Sequence, residues 1–147
     1  MTVWNQIISN QVLVSAALAW LVAQVLKTLI NFISTKSFSV ERLWGSGGMP
    51  SSHSATVTGL AASIAITEGV SSPLFAVATM FAFVVMYDAI NVRQEAGKHA
   101  KWINLIATSL APDIPLETKF KEYLGHTPLQ VIMGALLGIA VAMGICL

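Results

Sequence analysis

Charge is scarce in this sequence: Asp, Glu, Lys and Arg make up 10% of its 147 residues, against about a quarter in an ordinary soluble domain. A soluble helical bundle needs more polar surface than that. The formal net charge of +1 supplies no basic stripe to neutralise a row of phosphates, which excludes a nucleic-acid partner. Cys146 is the one cysteine, so neither a disulfide framework nor a thiolate zinc site can be built. The opening residues "MTVWNQIISN" hold no Lys or Arg, whereas a secretory signal wants a positive n-region. The N-terminal segment is therefore expected to be retained.

What the chain does have is apolar length, at 55% hydrophobic residues. A spanning helix takes about 20 of them, and four stretches qualify, roughly 11–33, 51–67, 73–91 and 128–147. The mostly polar stretch 92–127 has room for a further short helix around His99 to Leu110. The expected fold is all-α: a polytopic membrane helix bundle of about four transmembrane spans with an additional short cytoplasmic helix, forming one integral membrane domain over 1–147. Lys and Arg are retained on the cytoplasmic side of membranes. All eight here fall at one end of the alternating spans. That end should be cytoplasmic, and both termini should lie on the other side.

The segment Gly47-Gly48-Met49-Pro50-Ser51-Ser52-His53 opens the second of these stretches. A helix start exposes unpaired N–H groups and the positive end of the helix dipole. Glycines free the backbone, Ser51 or Ser52 can cap the helix and offer hydroxyls, and His53 brings a proton near neutral pH. Such a segment can hold a phosphoryl group and protonate its leaving oxygen, although an ordinary serine cap beside an incidental histidine reads the same way.

Other residues join it. Gln24, Lys27 and Asn31 share one helix face, and Lys27 either faces a cavity or snorkels to the headgroups. In "YDAINVRQEAGKHA", Asp88 and Arg93 come at the cytoplasmic end of the third stretch, as an oxyanion grip and a carboxylate or as a plain interfacial ion pair. His126 leads into the fourth stretch, where Gly134 and Gly138 form a G-x-x-x-G; Ala55, Gly59 and Ser63 give the second a similar small face. Packing of those faces would bring the two helix starts and their histidines together. The same faces also allow a homo-oligomer. His99 and the acidic residues Asp113, Glu117 and Glu122 read as solvated surface.

The segments "GGMPSSHSATVTGL", "VVMYDAINVRQEAGKHA" and "LGHTPLQVIMGALLG" resemble the divergent branch of the type 2 phosphatidic acid phosphatases, relatives of vanadium haloperoxidases and bacterial acid phosphatases. The mainstream superfamily carries K-x6-R-P, P-S-G-H and S-R-x5-H-x3-D. The resemblance implies that Ser51, Ser52 and His53 stand for the second motif and His126 for the nucleophile of the third, with no cofactor and no metal. This chain departs from the pattern at Gln130, where Asp is expected, and at Phe120, where Arg is expected. Lys36 and Arg42 are one residue too close for the first motif.

The function expected is a membrane-embedded phosphatase acting on a lipid phosphate or pyrophosphate at the cytoplasmic face, with membrane lipids around it. In this reading His126 is the nucleophile, His53 the general acid and Asp88 a substitute carboxylate; Ser51, Ser52, Arg93, Lys27 and Arg42 clamp the phosphate. A second reading is a non-catalytic lipid-phosphate binder or membrane assembly protein that keeps the anion pocket, which Gln130 and Phe120 favour. A channel or transporter is a third.

Overall fold

The computed structural model describes residues 2–36, 48–110, 119–122 and 124–147. Arg42, Gly47, Asp113 and Glu117, singled out above, lie outside them. Six helices are described: α1 (Val3–Ser9), α2 (Gln11–Thr35), α3 (Ser52–Thr67), α4 (Pro73–Ile90), α5 (Val92–Leu110) and α6 (Pro128–Cys146). Their starts follow local chemistry. Asn10, Ser51, Ser72 and Thr127 each accept a hydrogen bond from a first-turn N–H of the helix they cap, and Pro73 and Pro128 occupy positions whose missing N–H costs no helical bond.

Among the described residues three runs are long and apolar enough to cross a membrane: Gln11–Thr35, Pro73–Leu110 taken through the α4–α5 junction, and Pro128–Cys146. The fourth expected span, α3, has 16 residues and a length of about 24 Å, so it falls short of that measure. It has little need to face hydrocarbon, because it is the central helix. α2, α4 and α6 all pack on it, and Ser52, Ser54, Ala55, Val57, Thr58, Gly59, Ala61, Ser63 and Ile64 are buried. In lipid every backbone group is bonded within its own helix, which leaves small residues free to let helices approach closely.

Glycine makes the tightest of these contacts possible. A Cβ added to Gly134 would land in the carbonyl of Ser51, and one added to Gly138 would overlap the Ala55 carbonyl and the Thr58 hydroxyl. Thr58 Oγ1 in turn donates to the Ala135 carbonyl at 3.1 Å. Both small faces read from the sequence thus meet each other within one chain. Around α3 the core is alanine and serine: Ala19, Ala23 and Ala55 are fully enclosed, as are Ser15, Ser51, Ser54 and Ser63. Leu21, Phe81, Val84 and Leu136 instead point outward, as expected where the surroundings are lipid. The helices alternate in direction. Ser15 near the start of α2 lies 3.5 Å from Cys146 at the end of α6 (Oγ to Sγ).

Candidate functional site

The starts of α3 and α6 are tied to each other at one end of the bundle. The Ser51 N–H donates to the Gln130 carbonyl at 3.0 Å, which joins the residue before α3 to the first turn of α6. Gly48, at φ +87°, sits beside the stem of Lys27, with its missing Cβ only 3.1 Å from Lys27 Cγ. Lys27 is buried near the last turns of α2. The sequence face Gln24–Lys27 therefore turns inward toward the helix starts, and both residues are engaged there.

His126 is placed by its backbone. Its N–H donates to the Ala89 carbonyl at 2.9 Å, and the preceding Gly125, at φ +87°, rests on α5 so closely that a Cβ would come 2.5 Å from the Gln94 nitrogen. Only glycine satisfies both the left-handed conformation and that approach. Gly125→Ala should accordingly move His126 off its seat, costing about 1–3 kcal/mol as a lowered thermal midpoint in detergent. A midpoint unchanged from the parent would show that the seat tolerates a side chain.

Gln130 then fixes the ring. Thr127 and Gln130 form a capping box, and the same Gln130 Oε1 accepts from Thr127 N–H at 3.1 Å and faces His126 Nδ1 at 3.1 Å. An amide oxygen only accepts, so Nδ1 carries the proton and Nε2 keeps its lone pair. Nε2 is buried with no hydrogen-bond partner among the described residues. Burial is the chief influence holding the His126 ring below the ordinary histidine range; the Gln130 hydrogen bond opposes it, and the neighbouring His53, Lys27 and Arg93 add to it. A neutral, lone-pair-bearing imidazole at neutral pH is the result.

His53 lies in the first turn of α3, exposed, with its ring centroid 6.5 Å from that of His126 and the planes tilted by 59°. The two rings are thus at one end of the bundle and near enough to touch a single tetrahedral anion. Arg93, Lys27 and Asp88 lie within electrostatic reach of His53. Asp88 does not supply the carboxylate missing beside His126, because Gln130 holds that position; its own partner is Arg93 Nε. Ser51 is fully enclosed and its hydroxyl oxygen accepts from the Ser54 N–H and hydroxyl, which makes it a helix cap under the site more than a hydroxyl facing it. Ser52 is also buried, at the first position of α3. Among the described residues no group of three or more His, Cys, Asp or Glu could hold a metal ion.

One supporting residue escaped the sequence reading. Asn104, buried on α5, donates to the Phe120 carbonyl at 3.0 Å and to Glu122 Oε1 at 2.9 Å, and accepts from the Phe120 N–H at 3.1 Å. Gly97, two turns earlier, lets the carbonyl of Glu122 come within 2.5 Å of where a Cβ would stand. The segment leading to His126 is in this way laid along α5. An asparagine in an amphipathic helix gives no hint of such a clasp until its partner is known. Asn104→Leu removes three hydrogen bonds and strands the Phe120 backbone, so a loss of about 1–3 kcal/mol is expected in thermal unfolding; no loss would mean that water replaces the clasp.

The family described as "Divergent PAP2 family" matches residues 8–141. The chain is 39% identical over 146 residues to the uncharacterized membrane protein YuiD of Bacillus subtilis (strain 168), covering 91% of this chain and 92% of that protein. No solved structure matches. With His53, Asp88, Arg93, His126, Gly134 and Gly138 all inside the matched range, the chain is a membrane protein that belongs to the Divergent PAP2 family.

Proposed function

We propose that the protein is a membrane phosphatase that hydrolyses a lipid phosphate or pyrophosphate, with the site on the cytoplasmic side. The observation that carries this reading is the unpartnered, buried Nε2 of His126 beside the exposed His53. Nε2 attacks phosphorus, an N–P bond forms as the bond to the lipid oxygen breaks, and His53 gives its proton to that oxygen. Water then takes the phosphoryl group, its proton passing to His53, which restores both rings. Arg93 and Lys27 supply positive charge against the phosphoryl oxygens, with the N–H groups at the start of α3 beside them. Lys and Arg gathered at this end support the cytoplasmic orientation. A substrate with hydrocarbon tails can leave them in the bilayer while its head group reaches the helix starts.

The test is phosphate release from purified protein against a panel of lipid monophosphates and diphosphates alongside a soluble phosphate ester. Turnover of a lipid and not of the ester supports the reading; binding without release from any member would leave the anion pocket without chemistry, which Gln130 in place of a carboxylate favours.

Position 130 separates the two. Because burial lowers the proton affinity of His126, the nucleophile is lost only when pH falls below the ordinary histidine value of about 6.5, and the acid limb of the rate profile should lie there. Gln130→Glu keeps the capping box and places a negative charge on Nδ1–H. It should move that limb to higher pH and raise release above it by about tenfold or more. An unmoved limb would mean that the titration belongs to another group.

A further inference from the structure

α5 has one face too many for the bundle it leaves. Gly97 and Asn104 are covered by Phe120, Glu122 and Leu124, and among the described residues α5 packs on none of α2, α3 or α6. The opposite face exposes Trp102, Ile103, Leu105, Ile106 and Leu110, with Leu110 at 81% and Trp102 at 61%. Contiguous apolar area of this kind marks a binding surface. Here it follows directly on α4, whose Phe81, Val84 and Tyr87 are exposed as well, so it continues a surface that already meets lipid.

Charge says what covers it. Lys98 and Lys101 stand beside this face, Lys98 paired with Glu95 at 2.7 Å. Lys98, Lys101, Trp102 and Leu105 line a hollow of about 270 Å³, two cations together with an indole and a leucine. That is the chemistry of a phospholipid at the boundary, an anionic head above an acyl chain. A second copy seated through this same face would set lysines against lysines.

We infer that α5 docks on the acidic surface of the membrane its own bundle spans, with the Trp102–Ile106 face at the acyl boundary and the Lys98–Lys101 hollow taking an anionic lipid headgroup. Trp suits that depth because its ring is apolar and its N–H is wet, and basic residues near an anionic leaflet are drawn to it. The inference is independent of catalysis.

The experiment uses the full chain with Cys146→Ser and a spin label at Ile106→Cys, reconstituted into phosphatidylcholine vesicles with and without phosphatidylglycerol. Collision with a water-soluble nickel chelate should fall by about threefold or more when phosphatidylglycerol is present, oxygen collision should rise, and added salt or the double change Lys98→Gln and Lys101→Gln should undo the difference. Equal nickel access in both vesicles overturns the inference. So does spin–spin broadening that vanishes on dilution with unlabelled protein, which would seat a second copy on this face. Protection that the lysine changes leave intact would overturn the headgroup assignment.

Discussion

His126→Ala should lower phosphate release by about a thousandfold or more while leaving the fold near its parent stability. The ring does two things that no neighbour can take over. It presents an in-plane lone pair at Nε2 in a buried position, and it does so in one tautomer because Nδ1 is committed to Gln130. Lys27 is a cation, and His53 is exposed, with its ring centroid 6.5 Å away. Seating of the segment rests on Gly125 and on the His126 backbone N–H to Ala89, neither of which an alanine removes, so lost activity with a preserved thermal midpoint is the expected pair of results. His53→Ala should cost less, about a hundredfold, and least for a pyrophosphate, whose leaving group needs little help from an acid. Release unchanged in both variants would end the phosphatase assignment. In the binding reading, both variants would bind a lipid phosphate less well with no turnover to lose.

The second large effect is structural. Gly138→Leu should abolish the folded bundle or lower its thermal midpoint more than any other single change in α6. A Cβ at this position already overlaps the Ala55 carbonyl, the Thr58 hydroxyl and the Gly59 nitrogen, and backbone atoms cannot swing aside as a side chain would. Overpacking ordinarily costs about 1–3 kcal/mol; here α3 and α6 must part along their contact, which also separates the two histidines. Gly144→Ala, two turns further along the same helix, is the control. Nothing lies within 4 Å of its Cβ, so the better helix former should be neutral or stabilising by up to about 1 kcal/mol. Equal effects at both glycines would mean that helix propensity, and not the close contact, governs the packing.

Much of this was readable beforehand because it depends on local chemistry. Ser51, one of the two serines offered as a cap, caps α3, and G-x-x-x-G brings α6 onto α3. Convergence of His53 and His126 followed from that packing and from alternation of helix direction. Asp88 and Arg93 were open to two readings, parts of the site or an ion pair; they are paired, and Gln130 stands beside His126. What could not be read depends on contacts distant in sequence. Asn104 gave no signal because its partners lie across a stretch without periodicity. α3 is short for a span, and a helix sheathed by three others does not have to match the hydrocarbon thickness. The helix α5, expected to be short and around His99 to Leu110, runs from Val92, because nothing between Val92 and His99 interrupts it.

Gln130 joins two helices through its backbone carbonyl, which receives Ser51, and tunes a ring through its side chain, whose amide oxygen receives Thr127 and faces His126. The tie between the helices is thus indifferent to which side chain stands here, and the imidazole is not. A replacement is felt first at the helix cap and the ring, and glutamate, alike in shape but ionised, is the neighbour through which a sequence could gain chemical power and keep its architecture.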